Sequence, residues 1–183
     1  MTVKYWWCKP VDAINAELGW VWNGWKSILT GVVAFATMYG TVRLAGSLFG
    51  ESIPYNLPGA ENQISAQNPL AILGLFISIL GFVVLTVTGE ETMFRGLAQT
   101  QIGKHYGAWV GIGVAALLFG LRHLPNDLYY AQVWQATPRM WLSRELQLYF
   151  TAIVLGLARH IGKSTYASAI AHGLLLLVAL FGF

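Results

Sequence analysis

Charge is what this sequence has least of. Only 10% of its 183 residues are Asp, Glu, Lys or Arg, whereas a soluble domain carries about a quarter so that its surface stays solvated. A water-exposed globular surface is therefore excluded for most of the chain. The single cysteine, Cys8, excludes an intrachain disulfide and a cysteine-based metal site. The net charge is +3 and the pI near 9.1, but the basic residues form no stripe or cluster, which argues against a nucleic-acid partner. The first 26 residues also lack the basic start, short apolar core and small-residue cleavage site of a cleavable signal peptide. No internal repeat or low-complexity tract is visible.

What is present is apolar: 56% of the residues are hydrophobic and the mean hydropathy is +0.55. The apolar residues fall in runs long enough to cross a bilayer, so the expected fold is all-α, a polytopic membrane helical bundle forming one domain over residues 1–183. About five spans are expected, near residues 27–50, 70–89, 107–124, 141–160 and 164–183. Pro125 is expected to halt the third span, leaving residues 126–140 as a polar, aromatic connector, and residues 51–68 read as a proline-marked loop. Before the first span, Val11, Ile14, Leu18, Val21, Trp22 and Trp25 recur at helical spacing, with further tryptophans at Trp6, Trp7 and Trp20. Tryptophan favours the headgroup layer, so residues 10–26 read as an interfacial amphipathic helix.

Orientation follows from the basic residues flanking the spans. Lys4, Lys9, Lys26, Lys104, Arg159 and Lys163 fall on one side, and Arg139 and Arg144 on the other. The count places the amino terminus in the cytoplasm, in a prokaryotic plasma membrane.

Against this apolar background, Glu90, Glu91, Arg95, His123 and His172 each call for an explanation, because an unpaired charge in the bilayer costs several kcal/mol. If the second span continues helically to a turn at Gly103–Tyr106, Glu90 lies about 15 residues before that turn and His123 about 18 after it, depths of roughly 22 and 27 Å. His172 lies about nine residues past the Gly162 turn, roughly 14 Å along its helix. A modest protrusion of the Met93–Gln101 stretch brings the three level. Glu91 and Arg95 are i,i+4, the spacing of a helical ion pair, and Glu90 lies about 100° around from Glu91, free to face another helix. Phe119 shares a face with His123, and Gly111, Gly113, Gly120, Ala171 and Gly173 leave room for close helix approach.

Blander readings stand beside this one. An exposed stabilising pair explains Glu91 and Arg95 as well as a site does, and an interfacial histidine explains His123 beside Pro125. His172 interrupts the apolar run from Ala167 to Phe183 and is harder to dismiss, whereas His105 and His160 sit at turns and read as solvated.

One carboxylate and two imidazoles facing a polar cavity suit the activation of water. Glu90 would act as general base, His123 would position the water and His172 would donate to the oxyanion, with no covalent nucleophile and no cofactor. The same trio matches a Glu-plus-two-His zinc set, although the helical His-Glu-x-x-His signature and the glycine-flanked serine of a nucleophile elbow are both missing.

Glu90-Glu91-x-x-x-Arg95, then Phe119-x-x-x-His123, then His172 in a late apolar helix, resembles the CAAX prenyl protease and bacteriocin-processing family, also called Abi. The resemblance covers residues 83–180. It implies a metal-independent, glutamic-type intramembrane endopeptidase whose partners are the lipid bilayer and a membrane-anchored or lipidated protein or peptide cut near its carboxyl terminus. It carries the base to Glu90, the neighbouring carboxylate to Glu91, the structural arginine to Arg95 and the site histidines to His123 and His172, with Phe119 in support. One position departs: many members place an asparagine, whose amide helps form the oxyanion pocket, where this chain has Leu176. That departure keeps a rival open, a non-enzymatic immunity or scaffold protein of the same fold. The substrate, its prenylation and the oligomeric state are not written in the sequence.

Overall fold

The computed structural model of the protein describes residues 10–49, 69–133 and 135–181, all arranged as helices and short connections with no strand among them. The elements in chain order are α1 (Val11–Glu17), α2 (Trp25–Phe49), α3 (Pro69–Glu90), a π-helix (Glu91–Gln99), α4 (Thr100–Tyr106), α5 (Ala108–Val133), α6 (Pro138–Gly162) and α7 (Thr165–Phe181). The expected loop over residues 51–68, the first nine residues with Cys8, and the last two residues lie outside the described residues.

The helical bundle agrees with the sequence. Among the described residues, two helical stretches, Trp25–Phe49 and Ala108–Tyr129, are long and apolar enough to cross a membrane, and Thr165–Ala179 is a shorter apolar helix. Large apolar side chains point outward along them: Val33, Leu44 and Leu48 on α2, Phe76 and Leu85 on α3, and Leu117 and Leu121 on α5. The interior is built instead from small residues that let backbones approach, as membrane bundles require. Ala34 and Met38 of α2 pack on Leu155 and Ala158 of α6 and Ala171 of α7. Phe94, Ala116, Phe119, Leu148 and Ala152 form a second cluster joining the π-helix, α5 and α6.

Glycine matters where helices nearly touch. A Cβ at Gly31 would sit 2.9 Å from the Ala167 carbonyl oxygen, and one at Gly111 would sit 2.6 Å from that of Gln99. Gly113 and Gly120, expected to serve the same purpose, have nothing within 4 Å of such a Cβ, and Gly173 has only a Val87 methyl at 4.0 Å.

Three boundaries differ from expectation. Pro125 does not end its helix, because α5 runs through it to Val133. Proline removes one backbone donor and crowds the preceding turn, but neighbouring helices tolerate this in a membrane bundle. The connector therefore shrinks to the residues between Val133 and Pro138, where Gln135 takes a positive φ of 48°. Thr137 then caps α6, its hydroxyl accepting from the Met140 N–H at 3.3 Å, with Pro138 in the first turn.

The third difference is at the amino-terminal end. Of the expected helix over 10–26, Val11–Glu17 is helical and Trp25 and Lys26 already belong to α2, with a break between them. Gly19 and Gly24 take φ of 75° and 56°, conformations that glycine adopts at little cost and that interrupt a helix. Residues 18–24 instead form a strap across the start of α7. The Gly19 carbonyl accepts from the Thr165 N–H at 2.7 Å, the Leu18 carbonyl accepts from the Thr165 hydroxyl at 2.7 Å, and Asn23 donates to the Gly162 carbonyl at 3.0 Å. Trp20 donates its indole N–H to the Thr92 hydroxyl at 3.0 Å and stacks edge-on against Tyr166, with centroids 4.9 Å apart. The strap thereby ties the π-helix to the α6–α7 turn.

Candidate active site

The polar residues converge where α3 passes into the π-helix. A continuous α-helix was expected here, but Glu91–Gln99 closes i→i+5 bonds. More residues per turn means that consecutive side chains splay by less than the roughly 100° of an α-helix. Glu90 and Glu91 are both buried: Glu91 meets α7, and Glu90 meets α7 and also α5, the other helix it was expected to face.

Glu91 is fully buried, and its Oε1 lies 2.9 Å from Nδ1 of His172 and 3.5 Å from Nη1 of Arg95. Arg95 is equally enclosed: its Nη2 donates to the Ala152 carbonyl of α6 at 3.2 Å, and its guanidinium carbon lies 4.7 Å from the centroid of the Phe119 ring. These two residues form an interior brace, not an exposed helix pair. Glu90 reaches the same imidazole from the other side, with Oε2 3.8 Å from His172 Nε2. One histidine is thus flanked by two successive carboxylates.

His123 is placed less directly. Its Nδ1 lies 2.8 Å from the Phe119 carbonyl, which takes up the Nδ1 hydrogen and leaves Nε2 as the acceptor of a neutral ring. Phe119 is the hub of the arrangement. Its centroid is 4.6 Å from that of His123, 6.0 Å from that of His172 and 5.3 Å from that of Phe94. The structure so brings Glu90, Glu91, Arg95 and His172 into direct contact and joins His123 to them through Phe119. His105 and His160 are exposed, away from this cluster.

One residue of the cluster was not read from the sequence. Arg122 of α5 places Nη1 2.6 Å from Oε1 of Glu90, while its own side chain remains 47% exposed. The signal was available: an arginine within the apolar run ending in His123 requires a partner just as the glutamates do. Leu176 of α7 is partly buried. Among the described residues no group of three or more His, Cys, Asp or Glu side chains is arranged to hold a metal ion.

Two carboxylates on one imidazole, enclosed by apolar helices, define the class first: a helical bundle with a buried cluster of ionisable side chains. Residues 72–178, more than half of the chain, match the family described as type II CAAX prenyl endopeptidase Rce1-like, and the protein belongs to that family. It is a membrane-embedded family of proteases that act on membrane-associated proteins. No curated protein and no solved structure matches the chain.

Proposed function

We propose that this protein is a glutamic-type intramembrane endopeptidase that cuts a membrane-anchored or lipidated protein or peptide near its carboxyl terminus, using water activated by Glu90. The observation that carries this reading is the placement of Glu90 and Glu91 on opposite nitrogens of His172. Glu91 engages Nδ1 and fixes the orientation of the ring. Nε2 then faces Glu90 across a 3.8 Å gap, beside which a water and a scissile carbonyl would sit.

In this mechanism Glu90 takes a proton from water as hydroxide attacks the carbonyl carbon. The tetrahedral oxyanion is met by N–H donors aimed at it. His172 supplies one when its Nε2 is protonated, and the partly exposed guanidinium of Arg122 supplies others. Collapse breaks the C–N bond, and the proton held by Glu90 passes to the leaving amine. In this scheme Arg122 takes the role of the amide donor that Leu176 does not provide. No cofactor or metal is used in this scheme.

The single membrane domain would span with five helices, α2, α3, α5, α6 and α7. The shortest, α7, has 17 residues, about 25 Å of helix, close to the hydrocarbon thickness. The distribution of lysine and arginine supports an amino terminus in the cytoplasm.

A second reading, a non-hydrolytic scaffold or immunity protein, is favoured by Leu176. Comparison of membrane proteomes from cells with the wild-type protein and with Glu90→Gln separates the two. Uncut precursors accumulating in the variant support hydrolysis, and identical proteomes together with retained biological function support the scaffold.

A further inference from the structure

A cavity lies away from the brace, at the end of the bundle where α4 and the end of α6 come together. It has a volume of about 340 Å³ and is lined by Gln99, Thr100, Gly103, Lys104, Ala108, Arg159, His160 and Lys163. None of these is acidic, and three are permanent cations contributed by two separate elements, Lys104 from α4 and Arg159 with Lys163 from the end of α6. The proposed hydrolysis uses none of them.

Lysine and arginine at a helix carboxyl terminus ordinarily complement the helix dipole, and Lys104, Arg159 and Lys163 all stand at such ends. That role does not by itself gather them around one cavity. The Arg159 side chain turns inward to donate from Nη2 to the Thr100 hydroxyl at 3.2 Å, with its Nε buried beside Gly19. Three cations around one cavity whose lining has no carboxylate are complementary to an oxyanion with several oxygens.

The surroundings indicate what carries the oxyanion. Tyr106 and Trp109 are each 73% exposed beside the cavity, and aromatic side chains of this kind settle at the headgroup layer. Val110 and Ile161, within two residues of the lining, expose apolar surface along which acyl chains can lie. We propose that this cavity seats the phosphate of an anionic phospholipid headgroup, with Arg159, Lys104 and Lys163 as its ligands.

Native mass spectrometry of the full chain, titrated with phosphatidylglycerol or phosphatidylcholine of the same acyl chains, tests this without reference to catalysis. The expected result is retention of phosphatidylglycerol at least about tenfold over phosphatidylcholine. The Lys104→Gln/Lys163→Gln double variant, altered only at exposed side chains, should bind phosphatidylglycerol roughly 30-fold more weakly, about fivefold per lysine. Equal retention of the two lipids, or a preference unchanged in the double variant, overturns the proposal. Inorganic phosphate bound in detergent, with both lipids retained equally, assigns the cavity to a soluble phosphate and overturns the lipid occupant.

Discussion

Glu90, the last residue of α3, and Arg122 of α5 meet at 2.6 Å, a buried carboxylate against a guanidinium that stays half open to its surroundings. This contact pairs the proposed base with a cation that is not itself buried. It also fixes Glu90 Oε1, so that Oε2 faces His172.

Arg122→Gln should therefore keep the fold and lose activity. A charge-assisted hydrogen bond of this kind contributes about 1.5–3 kcal/mol, and the exposure of Arg122 places it at the lower end. Cleavage should fall about tenfold, mainly in kcat, and Arg122→Lys should recover part of it. Steady-state kinetics on a substrate identified from the membrane proteome provide the measurement. Equal rates for the glutamine variant and wild type would remove Arg122 from the mechanism.

Glu91→Gln should behave in the opposite way. Its partner Arg95 is 1% exposed, and removing one member of a fully buried pair leaves an uncompensated charge costing about 3–5 kcal/mol. The variant should show a large drop in thermal stability in detergent, whereas Glu90→Gln, whose cationic partner Arg122 is partly exposed, should show a small one. Comparable melting temperatures for both variants would contradict the division into a brace and a reactive carboxylate.

The two members of the Glu-Glu pair were legible as a site, but their division of labour was not. Spacing of i,i+4 marked Glu91 and Arg95, and the apolar run around His172 marked that residue. The π-helical turn was invisible, because i→i+5 and i→i+4 ladders place the same residues in nearly the same order. Its consequence, two neighbouring glutamates facing one histidine, appears only in three dimensions. Pro125 misled for a related reason: a local breaker was overridden by packing along α5. The strap over residues 18–24 was partly readable, since Gly19 and Gly24 interrupt the helical period, but its anchor on Thr165 was a long-range contact.

Close packing of α2 on α7 makes Gly31 sensitive. A Cβ there would lie 2.8 Å from the Ile170 Cγ2 and 2.9 Å from the Ala167 carbonyl oxygen, one of them backbone and unable to yield cheaply. Gly31→Ala should destabilise by about 1–3 kcal/mol. Gly40→Ala on the same helix, with nothing within 4 Å, should be neutral or stabilising by up to about 1 kcal/mol. Thermal unfolding of the two variants side by side checks this, and equal shifts would refute the interface.

Trp20 holds the strap. Trp20→Phe removes the hydrogen bond to Thr92 and keeps an aromatic ring for Tyr166, so it should weaken the strap by about 1 kcal/mol. Trp20→Ala removes both and should weaken it by roughly 2 kcal/mol. Amide exchange at Thr165, whose N–H donates to the Gly19 carbonyl, should accelerate in that order, and unchanged exchange in Trp20→Ala would show that other contacts hold the segment.

The central claim is that Glu90 activates water for peptide hydrolysis. Mass spectrometry of carboxyl-terminal peptides, on membranes from cells carrying the wild-type protein or Glu90→Gln, tests it most directly. A general base contributes about 10²–10⁴-fold, so new carboxyl termini present with wild type should fall at least about 100-fold in the variant while the protein remains folded and inserted. The same termini formed at the wild-type rate by Glu90→Gln would contradict it.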